Sequence, residues 1–320
     1  MYAVRNTERW YRKTMADWSE ASRASFDITE GMLSLPYTLD CGQAFRWRGL
    51  RDASWIGVIG QHAVRVRRED GVVEGSVYPP IDDSAAFLAS YLRLDVDLAA
   101  LYDGFSSVDP WISEAVEDFA GLRVLNQEPR ETVLSYICST ANSVPRIAKA
   151  IDRMSRIYGR LIATIDGEEF YMFPTAESLA EASPAVLRDR CGLGWRGDNL
   201  IGVAREVATM PDGWPAQLRS LPYREAKAEL MRVRGIGAKI ADCVSLFALG
   251  KDEAVPVDTH IWAVARELFG AQVPTRTLTP ATYETISGLF LDRYGSFAGW
   301  AQEYLFLQRR ASRGLVKTEQ

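Results

Sequence analysis

The spacing of apolar positions changes about a third of the way along the chain. Four short runs rich in β-branched and aromatic residues (45–47, 55–58, 63–66 and 72–77) read as strands. Gly49, Gly60-Gln61 and Asp70-Gly71 punctuate them. Asp-Gly between alternating runs signals a tight hairpin, and links this short predict antiparallel pairing. Pro79-Pro80 closes the sheet, because proline has no amide to give to a ladder. Beyond it, apolar residues recur at helical spacing. That spacing predicts helices over 85–92 and 111–119. From about Gly121 onward it predicts an almost wholly helical chain: 131–139, 145–158, 176–182, 185–191, 199–208, 223–233, 238–249, 259–269, 281–293 and an aromatic-rich 296–309. The implied fold class is α+β, with an N-terminal antiparallel sheet domain over 1–120 (1–25 unassigned) and a larger helical domain over 121–320.

Composition narrows the function classes. The chain has 320 residues, 47% hydrophobic and 25% charged, an ordinary globular composition for about two domains. No apolar run approaches the ~20 residues that span a bilayer, so no membrane partner is expected. The first thirty residues lack the apolar stretch of a signal peptide, and their acidic residues argue against a mitochondrial leader. Cys41, Cys138, Cys191 and Cys243 have no CxxC spacing and read as reduced thiols. With only His62 and His260 present, a multi-histidine metal site is excluded. A net charge of -5 and a pI near 5.3 exclude coating of nucleic acid by bulk charge, but not a local grip. Residues 144–160 carry Arg146, Lys149, Arg153, Arg156 and Arg160 against Asp152. Residues 220–240 carry Arg224, Lys227, Arg232, Arg234 and Lys239 against Glu225 and Glu229. Taken alone, such runs read as solvated helix faces.

The chemistry concentrates between residues 223 and 270. One predicted helix ends at Arg234-Gly235-Ile236-Gly237 and another begins at about Ala238. Two glycines around one aliphatic residue allow a tight inter-helix hairpin without a Cβ to obstruct an approaching phosphate. Amides at the new helix's start suit an anion. The same residues also fit a plain helix–turn–helix connection. Lys239 falls in the first turn, where the helix field and burial favour a neutral, nucleophilic amine; a solvated surface lysine is the competing reading. Cys243 shares its face four residues on. Pro256 and its β-branched neighbours predict an extended entry to Asp258, which N-caps a helix closed by Gly270. A carboxylate fixed by amides stays ionised and can oppose positive charge at an anomeric carbon. His260 fits a phosphate contact or packing equally well. Trp47, Phe297 and Trp300 read as core, and Cys138 and Cys191 as packed thiols.

Gly235-Ile236-Gly237-Ala238-Lys239-Ile240-Ala241-Asp242-Cys243 followed by Val255-Pro256-Val257-Asp258-Thr259-His260-Ile261-Trp262 resembles the helix-hairpin-helix–GPD signature, in the form found in 8-oxoguanine DNA glycosylase/AP lyases. The resemblance resumes at Cys41-Gly42-Gln43-Ala44-Phe45-Arg46-Trp47-Arg48, Ser135-Tyr136-Ile137-Cys138-Ser139, Gly192-Leu193-Gly194-Trp195-Arg196 and Ala298-Gly299-Trp300-Ala301-Gln302. It thus covers roughly residues 30–310.

It implies a bifunctional DNA glycosylase/AP lyase of base excision repair, with Lys239 as the amine that attacks C1′ and Asp258 as its assistant. It further implies a lesion pocket of Gly42, Cys243, Gln302 and Phe306. Asn142, Arg146 and Arg196 would fill the vacated stack, Trp195 would act as wedge, and Gly235, Gly237 and His260 would hold phosphates. The implied partner is double-stranded DNA containing oxidised guanine, bound by a monomer in the cytoplasm with the chromosome, or in the nucleus of a eukaryote. No cofactor or catalytic metal is implied; a structural monovalent cation on hairpin carbonyls is compatible. Departures are Ala141 and Ser143 where animal enzymes carry asparagines, Trp195 for a tyrosine and Arg234 for the hairpin proline. The rival classes are a glycosylase for alkylated bases, which would lack Lys239, and a non-catalytic DNA-binding hairpin, which would need neither Lys239 nor Asp258.

Overall fold

The computed structural model describes residues 15–273 and 277–315. Five antiparallel strands form one sheet in the order Ser22–Asp27, Val72–Tyr78, His62–Glu69, Trp55–Ile59, Arg48–Gly49. The hairpin at Asp70-Gly71 is present as expected, with Glu69 opposite Val72. One expectation fails here, and one strand is new. Residues 45–47 are not a strand; the edge strand is Arg48–Gly49. Phe45 and Trp47 turn inward instead, Phe45 edge-on to Tyr136 at 5.3 Å and Trp47 donating its indole N–H to Tyr91 at 2.8 Å. The strand Ser22–Asp27 was not foreseen, since only Ala24 and Phe26 break its polar run.

The helical part agrees closely with the apolar spacing. Helices occupy Pro129–Ile137, Val144–Tyr158, Arg196–Ala208, Tyr223–Arg232, Ala238–Ala248, Thr259–Phe269, Pro280–Tyr294 and Ala298–Ala311. Helices Leu35–Leu39, Leu98–Ser106 and Trp214–Ser220 went unpredicted, and 185–191 is a wider turn over Val186–Arg190. A larger departure interrupts the helices. Leu161–Ile165 and Glu168–Tyr171 form a hairpin through Asp166 and Gly167, both at positive φ (52° and 80°). Met15–Ala16 pairs with it in parallel, Met15 opposite Thr164.

Three cores result. One lies among the helices and includes Tyr37, Cys41 and Phe45 from the N-terminal third. One lies under the sheet. The third, with Trp18, Ile56, Val58, Ala163, Ile165 and Phe170, fastens the inserted hairpin to the sheet. All four cysteines are buried and unpaired with one another. Trp300 is fully buried, while Trp47 and Phe297 pack partly buried against the cores.

Candidate active site

The glycine pair makes the predicted connection. Helix Tyr223–Arg232 ends as Val233 turns extended, and Gly235 adopts φ 103°. A Cβ there would meet Asn199 Oδ1 at 2.7 Å, so only glycine lets the turn seat against helix Arg196–Ala208. Ile236 is buried and pins the turn, whereas Gly235 and Gly237 are exposed. No side chain caps the following helix at Gly237, which leaves its first-turn amides open to an anion.

Lys239 is half-buried in that first turn. Its Nζ donates to Ser139 Oγ at 3.2 Å and lies 5.0 Å from the centre of the Tyr136 ring. Cys243 stands one turn on, its thiol pushed up to about 12 chiefly by burial. The opposite face of the helix anchors this arrangement. Asp242 has no exposed surface and accepts from Tyr223 Oη (2.6 Å), Tyr283 Oη (2.5 Å) and Lys227 Nζ (3.0 Å). Burial holds the Asp242 carboxyl above its ordinary value, opposed in part by Lys227 and the two hydroxyls. Lys227 therefore corrects the reading of residues 220–240 as a solvated basic face: it is a buried counter-ion, bonded also to Glu284 at 3.0 Å.

The network extends to the second catalytic candidate. Tyr283 Oη accepts from the Val257 amide at 3.2 Å, fixing the backbone one residue before Asp258. Asp258 then caps helix Thr259–Phe269, its Oδ1 accepting from the amides of His260 and Ile261, both at 2.9 Å. Capping and catalysis are thus geometrically compatible, because the carboxylate also faces a cavity shared with Lys239.

That cavity, of about 60 Å³, brings together all six residues expected to cleave or read a base: Lys239, Asp258, Gly42, Cys243, Gln302 and Phe306. Tyr136, Phe247, Pro256 and Glu303 complete its walls. Gly42 sits at φ 106°, where a Cβ would lie 2.9 Å from Val144 Cγ2. Behind it Arg310 Nη1 donates to the Cys41 carbonyl. Gln302 and Glu303 are 3% and 2% exposed. Each presents a buried Oε1 with no hydrogen-bond partner among the described residues. Burial first of all raises the Glu303 carboxyl to about 7, against the lowering influence of the Cys41 thiol, Arg310 and Lys239. Glu303 and Arg310 were missed in the sequence. The signal was there: a carboxylate and a guanidinium inside the aromatic C-terminal helix.

The remaining candidates lie outside the cavity. Trp195 is 59% exposed, with the Arg196 guanidinium 4.8 Å from its ring centre. Arg196 is committed to the carbonyls of Thr140, Ala141 and Leu193. It therefore ties the wedge loop to the 140–143 loop. Reaching an unpaired base would require exchanging those carbonyls. Asn142 is half-buried and donates to the Cys138 carbonyl at 3.2 Å, while Arg146 is exposed. His260 packs edge-on to Phe306 at 5.6 Å. Desolvation first, and then nearby arginines, lowers its pKa against the opposing influence of Asp258. Its Nδ1 is buried without a hydrogen-bond partner among the described residues. Among the described residues no cluster of His, Cys, Asp or Glu is placed to hold a metal.

Residues 25–133 match the family described as 8-oxoguanine DNA glycosylase, N-terminal domain, and residues 134–286 match the HhH-GPD superfamily base excision DNA repair proteins. The N-glycosylase/DNA lyase OGG1 of Arabidopsis thaliana is 34% identical, over 88% of this chain and 78% of its own length. The N-glycosylase/DNA lyase of Saccharomyces cerevisiae is 32% identical, over 87% and 84%. Among solved structures, the Clostridium acetobutylicum 8-oxoguanine glycosylase/lyase in complex with double-stranded DNA containing cytosine opposite 8-oxoguanine superposes with a TM-score of 0.79. It is 27% identical, over 92% of this chain and 99% of that one. By this continuous similarity the chain belongs to the N-glycosylase/DNA lyase family of HhH-GPD base excision repair proteins.

Proposed function

We propose that the protein excises 8-oxoguanine from duplex DNA and nicks the resulting abasic strand. The observation that carries this reading is the single cavity shared by Lys239, Asp258 and the four base-reading candidates. With the damaged nucleotide swung out of the stack, the Lys239 amine attacks C1′. The N–C1′ bond forms as the glycosidic bond breaks, and that bond's electron pair leaves with the base, which takes up a proton. Asp258, fixed in place by two amides, opposes the positive charge on the sugar. Opening of the sugar ring gives a Schiff base, and loss of a C2′ proton expels the 3′ phosphate. Lesion choice follows from one carbonyl. Guanine offers an acceptor at N7 and the oxidised base offers a donor, so the Gly42 C=O attracts the second and repels the first.

Extrusion costs a few kcal/mol. Asn142, Arg146, Trp195 and Arg196 offset it by occupying the gap, while Gly235, Gly237 and His260 hold phosphates. The enzyme acts as a monomer in the compartment that holds the chromosome and needs no redox cofactor or catalytic metal; a structural monovalent cation would sit on hairpin carbonyls near Gly235 and Gly237. The test is borohydride trapping on duplexes carrying 8-oxoguanine opposite each of the four bases. Lys239→Gln is expected to abolish the trapped complex while leaving lesion binding intact, and Asp258→Asn to slow base release. Trapping by the Lys239 variant would assign the nucleophile to another amine.

A further inference from the structure

We infer that Glu303 is a second functional carboxyl of the excision reaction: it takes the proton that Lys239 must lose before attacking and returns it to the departing base. The inference rests on Lys239 being the nucleophile. Four observations lead to it. Glu303 is 2% exposed, yet it lines the same narrow cavity as Lys239 and Asp258. Its Oε1 is buried without a hydrogen-bond partner among the described residues, an arrangement that is costly if it serves nothing. Asp258 commits its Oδ1 to two cap amides, so the residue best fixed for electrostatic support is poorly disposed to carry a proton. Finally, the cavity of about 60 Å³ has room for a few waters, at about 10–15 Å³ each. One water suffices to relay a proton between groups that do not touch.

The charges around Glu303 favour the transfer. Against burial, a hydrogen bond from the Cys41 thiol and the charges of Arg310 and Lys239 lower its pKa, while Asp258 raises it. Tyr136 and Cys243 stand in the same wall as buried neutral groups. Burial outweighs the lowering influences and brings the carboxyl to about 7, which suits a group that must both accept and donate. Once Lys239 loses its proton, one stabilising cation next to the carboxylate disappears, so protonation of Glu303 becomes more favourable. The balance closes. Lys239–NH3+ and Glu303–COO− become Lys239–NH2 and Glu303–COOH. The amine bonds to C1′ as the base leaves with the glycosidic pair. The base anion then takes the Glu303 proton and restores the carboxylate.

The experiment is single-turnover excision of 8-oxoguanine across roughly pH 5.5–8.5, together with lesion-duplex affinity, for the wild type, Glu303→Gln and Glu303→Asp. The wild-type rate is expected to rise about tenfold per pH unit below ~7 and then level off. Glu303→Gln should be about 100-fold slower at the plateau, lack the break near 7, and bind lesion duplex within about threefold of wild type. Glu303→Asp should keep a break at a reduced rate. Glu131, a half-buried carboxyl paired with Arg46 at 3.5 Å, also brought to about 7 by desolvation but outside the cavity, serves as control: Glu131→Gln should retain the break. An unchanged rate and break in Glu303→Gln would overturn the inference. So would a loss of lesion affinity with the break retained, which would make Glu303 a base reader. If Glu303→Gln does not fold, loss of the break in Glu303→Asp overturns it. Should wild type neither release 8-oxoguanine nor be trapped by borohydride, the failure lies with the proposed reaction itself.

Discussion

Tyr283→Phe tests whether the buried network behind the cavity holds Asp258 in place. The substitution keeps the ring and leaves no void, so it removes one hydroxyl and nothing else. That hydroxyl accepts from the Val257 amide at 3.2 Å and donates to Asp242 at 2.5 Å. Val257 is 1% exposed and Asp242 is 0% exposed, so water replaces neither bond. A buried amide without an acceptor costs about 1–3 kcal/mol, and a lost hydrogen bond to a charged group about 1.5–3. Asp242 keeps Tyr223 and Lys227, which puts the sum near 3–5 kcal/mol rather than at the top of the range. At roughly 2 °C per kcal/mol for a chain of this size, the melting temperature should fall by about 6–10 °C. The urea midpoint should fall with the slope unchanged. Because Val257 adjoins Asp258, the single-turnover excision rate should also drop, by about tenfold, with lesion binding preserved. A melting shift under about 2 °C together with an unchanged rate would refute the claim that this hydroxyl positions the carboxylate.

Two further outcomes follow from the same geometry. Gly42→Ala forces a Cβ to 2.9 Å from Val144 Cγ2 at φ 106°, so it should cost about 1–3 kcal/mol in chemical denaturation and narrow the discrimination between 8-oxoguanine and guanine duplexes in competition binding. Glu303→Gln should stabilise the fold at alkaline pH. With a folded-state value near 7 against the ordinary 4.5, the native protein binds more protons than the unfolded chain between those values. Stability from this group is full below about 4.5 and is lost as pH rises through 7, by on the order of 3 kcal/mol. The variant's melting temperature should therefore exceed wild type at pH ~8.5 and match it near pH ~4.5; equal shifts at both would remove the buried-carboxyl account.

What the sequence revealed depended on how local the determining contacts are. Hairpin Val72–Tyr78 with His62–Glu69 was readable because an Asp-Gly turn and the alternation on both sides fall within twenty residues. Ser22–Asp27 was not, because its partner lies about fifty residues away and its own alternation is slight. The inserted hairpin Leu161–Tyr171 carried the same Asp-Gly signal but was masked by helical periodicity on either side. In the site, the Lys239–Cys243 spacing and the Asp258 cap are local and came through. The convergence of Gly42, Lys239, Asp258 and Gln302 on one cavity is tertiary, and only the resemblance anticipated it. Lys227 was misjudged for a related reason: charge sequence does not reveal that a buried carboxylate waits on the neighbouring helix.

The parallel pairing of Met15–Ala16 with Thr164–Ile165 bears on how the molecule is made. The first strand leaves the ribosome about 150 residues before its partner, which at about 5–20 residues per second is a wait of roughly eight to thirty seconds. Throughout that interval Trp18, Ile56 and Val58 lack Ala163, Ile165 and Phe170. The sheet can close on its own core early, but one flank stays greasy and open until the insert has been synthesised. Nascent chains stalled before residue 160 should accordingly engage holdase chaperones more strongly than chains stalled after residue 175.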